Sequence, residues 1–462
     1  MTEPAAMAAN GPGFASVREG VRGIGVFGHY GNKNLGDEAI IAAVMHNLAA
    51  RMPQARLCCF SVNPDDSAHR YGVAAYPIRR IAAKVRPTAA PAQTAARSAG
   101  GEPGRPIRPG LRQRLVGLPL VGPLLKAAAR TKDLVLEALQ EARFLINGRR
   151  HLRGIDVLLI AGSNQFLDNF GGPWGFPVTL LKWTILARIS GVKVYFVSVG
   201  AGPLDQPTSH RLIRWALRFP QYVSLRDDSS AALLRDIGVT APLRVYPDLA
   251  HSLPIEDIAA AALPSGAQGR CLPVIGINPM PLYDPRYWCE KDDSRYRTYL
   301  GKMVDFVHRL MEAGYPFFLF ATQEKDNNVS VDVLQELSRL RGETMRFEDH
   351  ALTSQTVAEL LANIKAADIT VATRFHGTVL SLHAGKPMLG VCYYRKAREL
   401  MAEYGQQDYA VDLDDFVVDD LWQRFERLVE RRSQEQIVIG QRNTEYHALI
   451  QAQYELLFPV GR

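Results

Sequence analysis

The chain has 462 residues, 47% of them hydrophobic and 22% charged, with a formal charge of +7. That length holds two ordinary domains and a large core. The modest positive charge admits an anionic substrate or a membrane surface but does not by itself argue for nucleic acid, and no run reaches the roughly 20 apolar residues of a spanning helix.

The five cysteines, at 58, 59, 271, 289 and 392, form no metal-type CxxC pair. Their odd number sits badly with a disulfide framework, so reduced thiols in a cytoplasmic protein are expected. The first twenty residues lack a basic region followed by an apolar core, which argues against a signal peptide. They are expected to form a disordered tail.

Regular structure is predicted from Gly23, where Gly-Ile-Gly-Val-Phe-Gly28 reads as a short buried strand. The turn His29–Glu38 follows, then an apolar-periodic helix over Ala39–Ala50. Glycines at 25, 28, 31 and 36 do not have the GxGxxG spacing, which excludes a nicotinamide fingerprint. They suggest a backbone passing close to something. Asp37 and Glu38 lie in the first helical turn, where ordinary dipole complementation also explains them.

Leu57–Val62 is a second strand. Residues 79–114 are rich in Pro, Ala, Gly and Arg with Glu102 as their single acid, so a flexible basic insertion is expected. The proline-broken apolar segment Leu115–Leu125 can cover the core of the first domain, or rest on an anionic bilayer beside its basic neighbours. A helix-like run covers Asp133–Leu145.

Strands are then predicted at Val157–Ile160, Val192–Val199, Tyr222–Leu225 and Arg244–Tyr246. Each ends in Gly, Ser, Asn, Arg or Asp, the layout of a doubly wound parallel sheet with its site along one edge. An interdomain linker is expected over Pro254–Arg270, and a second α/β set begins at Val274–Asn278. It reaches Asp368–Tyr394, a strand, a polar turn, a helix and a second strand. In that turn Arg374 and His376 are two apart, so in extended chain they share a side. The Gly377 and Thr378 amides add potential anion-binding donors. A long amphipathic tail runs from Leu421 to Leu457.

The expected architecture is α/β: two Rossmann-like doubly wound lobes facing a cleft, glycosyltransferase-B-like, with a C-terminal helix crossing back to the first lobe. The expected boundaries are a tail at 1–20, lobes at 21–255 and 270–425, and a helical tail at 426–462.

Five ordered motifs carry a family resemblance: GHYGNKNLGDE (Gly28–Glu38), SVGAGP (Ser198–Pro203), RDDSSAAL (Arg226–Leu233), PDLAH (Pro247–His251) and TRFHGTVLSLHAGKPMLGV (Thr373–Val391). Together they resemble the polysaccharide pyruvyl transferase family. The resemblance implies transfer of a pyruvyl group from phosphoenolpyruvate onto two hydroxyls of a sugar in a cell-surface or exopolysaccharide precursor. The products are a cyclic ketal and phosphate. It implies His376 as general acid/base, and Asp37 and Glu38 could orient or deprotonate an acceptor hydroxyl. Arg374 and Arg226 would clamp the donor, beside Phe375, Gly377 and Thr378.

Gly31, Asn34, Glu38, Asn164, Asp248 and His251 are candidates for the acceptor side or cleft, although turn capping accounts for Asp248 and His251 more simply. No cofactor is implied beyond the donor itself, and no metal. The implied partners are phosphoenolpyruvate and a glycan or lipid-linked saccharide, with peripheral contact at the inner membrane and no nucleic acid. Two other readings stand beside this one. One is a nucleotide-sugar glycosyltransferase of the same fold, with Glu348 or Asp349 at the ribose; the other is a non-catalytic glycan-binding member.

Overall fold

The computed structural model describes residues 21–31, 33–80, 121–268, 271–288 and 290–459. The chain divides into two compact units, one of residues up to 78 together with those from 152 onward, the other of residues 79–151. The first unit holds two parallel sheets.

The first sheet begins with β1 (Gly23–Phe27), α1 (Leu35–Arg51), β2 (Arg56–Ser61), α2 (Pro64–Tyr71) and β3 (Ala74–Pro77). The second unit contributes α3 (Val121–Leu152). The first sheet resumes with β4 (Val157–Ala161), β5 (Asn164–Phe166), α4 (Phe176–Ile189), β6 (Lys193–Ala201), α5 (Pro207–Ala216), β7 (Tyr222–Leu225), α6 (Asp228–Asp236) and β8 (Arg244–Val245). Its order is β3-β2-β1-β4-β6-β7-β8, with β5 pairing β6. The central strands β1 and β4 are buried along their whole length, as near-continuous apolar runs covered on both faces should be.

The second sheet comprises β9 (Ile275–Asn278), α7 (Asp293–Glu312), β10 (Phe317–Phe320), α8 (Asp326–Arg341), α9 (Phe347–His350), β11 (Ala351–Leu352), α10 (Val357–Ala366), β12 (Ile369–Ala372), α11 (Phe375–His383), β13 (Met388–Cys392), α12 (Arg395–Glu403) and β14 (Ala410–Asp412). Its order is β11-β10-β9-β12-β13-β14. In both sheets the strand order reverses beside the first strand, which opens a crevice at the carboxyl ends.

The last helix, α13 (Val418–Leu457), is one uninterrupted span of 40 residues. It starts in the second lobe, where Phe425 packs on Phe306 and Tyr315. It ends in the first, where the buried Gln453 donates to Ser224 Oγ at 2.7 Å and to the Tyr222 hydroxyl at 3.1 Å. Arg51 of α1 adds an ion pair to Glu455 at 2.6 Å. The expected crossing helix is therefore present, and it makes this glycosyltransferase-B-like pair of lobes one compact unit.

Several elements differ from expectation. α2, β3, α4 and α5 were not predicted, because their apolar residues are few or aperiodic and three of the helices open on a proline near the first turn. The run Asp133–Leu145 lies inside the longer α3. The tail at 1–20 and most of the basic insertion fall outside the described residues, as does the start of the apolar segment from Leu115. Among the described residues, no helix is long and apolar enough to cross a membrane, and Cys58, Cys59, Cys271 and Cys392 are free thiols.

Candidate functional site

The buried strand β12 delivers the chain to Thr373, whose amide donates to the Asn278 carbonyl at 3.0 Å. Arg374 is extended and caps the next helix, which starts at Phe375 rather than at the expected Thr378. That early start removes the predicted alternation, because successive side chains now fan around a helical turn. Arg374 swings to its own lobe and grips the buried Asp326 through Nε at 3.0 Å and Nη2 at 2.5 Å. Phe375 crosses to the first lobe, where its ring lies 4.5 Å from the Arg226 guanidinium. His376 lies against Gly36 of α1, and a Cβ at Gly36 would overlap it.

The first lobe supplies the other wall. Arg226 leaves the end of β7 and donates to Asp248 at 3.0 Å. Gly200 makes room for it: a Cβ there would come within 2.8 Å of Arg226 Nε and 2.7 Å of Asn164 Oδ1. Asn164 in turn holds the Gly202 carbonyl. Asp227 caps α6 through the Ser230 amide at 2.6 Å. From the second lobe, the buried Lys396 of α12 reaches Ser230 Oγ at 2.7 Å and Asp227 at 3.2 Å. Lys396 and Tyr394 also wall a cavity of about 370 Å³ with Gly202, Pro203 and Ser229.

The site is electrostatically tense. Burial lowers the His376 pKa below its ordinary value, and Asp37 and Asp248 pull against it only in part, which favours the neutral imidazole. Burial raises the Asp248 carboxyl, but Arg226 and then His376 outweigh it and leave a net lowering. Asp227 is brought to about 2, because Lys396 and Arg226 overcome its burial. Lys396 falls to about 8, through burial first and the neighbouring Arg226 second. Among the described residues, Arg226 Nε, Asn164 Oδ1 and His376 Nε2 are buried without a hydrogen-bond partner. Such groups are costly unless something else satisfies them.

The remaining candidates separate. Asn34 caps α1 by accepting from Gly36 at 3.2 Å and donates to Asp37 at 2.5 Å, so Asp37 is held at the mouth, half-buried. Glu38, expected to face an acceptor, points inward instead. It accepts from the Gly31 amide at 2.7 Å and from the Tyr71 hydroxyl and is fully buried. One step further round the helix, it braces the left-handed turn at Gly31 (φ +88°). Thr378 is likewise spent on its own helix: its amide donates to the Arg374 carbonyl at 2.9 Å and its hydroxyl at 3.3 Å. Gly377 leaves space for Asn278, whose side chain a Cβ would meet.

His251 is not in the cleft. It packs among Tyr404, Tyr446 and His383 with Nδ1 3.1 Å from the Tyr404 hydroxyl. Asp248 both caps its turn, accepting from Ala250 at 3.0 Å, and binds Arg226. Asp349, proposed for a ribose, accepts instead from Ser265 at 2.6 Å.

Sequence reasoning missed Lys396, Asp326 and Asn278. Lys396 follows a strand end by four residues in a pattern no different from a solvated helix start, and Asn278 ends β9 as many polar residues end strands. Asp326 had no signal at all. Among the described residues no group of three or more His, Cys, Asp or Glu could hold a metal ion.

A family model described as polysaccharide pyruvyl transferase matches residues 34–394. The amylovoran biosynthesis protein AmsJ of Erwinia amylovora is 20% identical over 321 residues, 63% of this chain and 72% of its own. Two solved structures share the fold. A candidate UDP-N-acetylglucosamine 2-epimerase from Listeria monocytogenes has a TM-score of 0.53 at 8% identity, over 95% of this chain and 98% of its own. The UDP-GlcNAc 2-epimerase of Methanocaldococcus jannaschii has 0.51 at 10%, over 88% and 92%.

Proposed function

We propose, on the premise that this chain belongs to the polysaccharide pyruvyl transferase family, that it moves a pyruvyl group from phosphoenolpyruvate onto two hydroxyls of one sugar. The acceptor is a saccharide precursor of a cell-surface or exported polysaccharide, carried on a lipid at the cytoplasmic face of the inner membrane. Two new C–O bonds form at the donor's C2 while its bond to phosphate breaks. Of the two hydroxyl protons, one ends on the donor methylene carbon, making it a methyl group, and the other leaves with phosphate.

One observation carries this reading. Arg226 Nε and His376 Nε2, on opposite walls of the crevice, are both buried without a hydrogen-bond partner among the described residues, and the cationic Lys396 reaches across from the second lobe to Asp227, next to Arg226. A small anion with a phosphate and a carboxylate matches two cations and a proton donor or acceptor. Phe375 holds Arg226 by a cation–π contact. A neutral His376 is ready to take a hydroxyl proton as the first C–O bond forms, and Asp37 at the mouth orients that hydroxyl. Arg374 spends Nε and Nη2 on Asp326, so it anchors the turn and presents its remaining nitrogen.

The test is thermal melting of the full chain with phosphoenolpyruvate and, separately, a panel of nucleotide sugars. A saturable rise with phosphoenolpyruvate, absent in Arg226→Ala, supports the reading. A rise only with a nucleotide sugar overturns it in favour of a glycosyltransferase. Silence from both ligands overturns it in favour of a non-catalytic glycan binder.

A further inference from the structure

The outer face formed by the turn Gly172–Trp174, α4 and α5 carries a second feature. These elements pack on one another at the side of the first sheet. Their inner residues are core: Trp183 of α4 is buried with its ring edge-on to Phe27 and Phe60. Their outer residues are unusual. Trp174 is 76% exposed and Trp215 is 56% exposed, and Ile185 and Ile189, one turn apart on α4, also face solvent. Large apolar side chains gathered on one surface mark an interaction site more often than an accident.

The charges beside them are basic. Arg188, Arg211, Arg214 and Arg218 are all exposed, and no carboxylate pairs with any of them among the described residues. Some other surface arginines are neutralised within the chain, as in Arg295–Asp414, Arg309–Asp419, Arg398–Asp412 and Arg442–Glu445, whereas here four lie on or just after two neighbouring helices with no acidic partner among the described residues. Residues 169–218 contain six Lys or Arg and one acid, Asp205. The inserted residues 79–151 have the same sign, with fifteen Lys or Arg against four acids, so the rest of the chain is net acidic.

We infer that this face rests on an anionic bilayer surface. Exposed tryptophans suit the headgroup level, where one end of the ring is apolar and the other wet. The isoleucines suit the hydrocarbon edge, and the unpaired arginines suit anionic headgroups. A second copy of the chain is a worse occupant. A two-fold contact through this face would set the same unpaired arginines opposite each other. The face lies beside β5, which holds Asn164 of the crevice, so docking there would bring a lipid-carried saccharide to the same edge of the lobe. This deepens the peripheral-membrane part of the function proposed above.

The experiment is co-sedimentation of the full chain with vesicles of phosphatidylcholine containing phosphatidylglycerol, and with phosphatidylcholine alone. Binding is expected only to the anionic vesicles and should fall with added salt. Arg211→Glu/Arg214→Glu and Trp174→Ser/Trp215→Ser should each lower the partition coefficient at least about tenfold. Both variants should keep the wild-type melting curve and the shift with phosphoenolpyruvate, which separates this test from that of the donor. Wild-type partitioning by both variants would overturn the inference. So would the absence of anionic-vesicle binding, or a dimer in light scattering that either variant dissociates.

Discussion

The guanidinium of Arg226, from the first lobe, lies over the ring of Phe375, from the second, 4.5 Å from its centroid. A strand end of one lobe and a helix start of the other thereby share a cation–π contact. The same guanidinium donates through Nη1 to Asp248, so it is held from two sides while two nitrogens, Nε and Nη2, remain.

Arg226→Lys should test that geometry. An ammonium keeps the charge but loses the planar fork. We expect kcat/KM for phosphoenolpyruvate to fall about 100-fold, with little change in melting temperature. Wild-type kcat/KM in the lysine variant would show that charge alone suffices there.

Gly36→Ala should act on His376 without touching it chemically, because the new methyl group occupies the space of the imidazole. Displacing a proton-transfer group by an ångström or so costs on the order of 100-fold in kcat. The matched control is Gly440→Ala in α13, where nothing lies within 4 Å; it should raise stability by up to about 1 kcal/mol with activity intact. If both variants keep wild-type kcat, His376 is not the proton carrier.

Lys396, lowered to about 8, predicts an alkaline limb. The anionic donor needs the protonated lysine, so kcat/KM should decline as pH rises through about 8, approaching tenfold per unit. Lys396→Met should have a lower kcat/KM and no such limb. Retention of the limb in that variant would assign it to another group.

His251 predicts acid sensitivity of the fold. Burial, with His383 next, lowers its pKa to about 3, against about 6.5 in the unfolded chain. Between those values the unfolded state binds a proton that the folded state does not. Stability must therefore fall as pH drops below about 6.5, by about 1.4 kcal/mol per unit for this group. His251→Phe should flatten the dependence of denaturation midpoint on pH by about one proton. An unchanged slope would place the acid sensitivity in other groups.

The sequence by itself determined the two parallel sheets, the long C-terminal helix and the turns at their strand ends, while the return of that helix to the first lobe was decided by tertiary contacts such as Gln453 with Ser224. The sheets, the helix and the turns follow from local pattern: apolar runs long enough for a buried strand, polar breaks at their ends, and amphipathic periodicity in α13. The motif-bearing turns were legible for the same reason, and Arg226 and His376 stand on opposite walls of one crevice. What the pattern could not specify was the direction of each side chain once helix and strand met. Arg374 and His376 diverge because the helix begins three residues early. Glu38 turns inward because one residue around α1 is a rotation of about 100°. Lys396 and Asp326 meet their partners, Asp227 and Arg374, across gaps of 169 and 48 residues. A charge buried that way is set by what faces it after folding, and local sequence contains no record of the facing element.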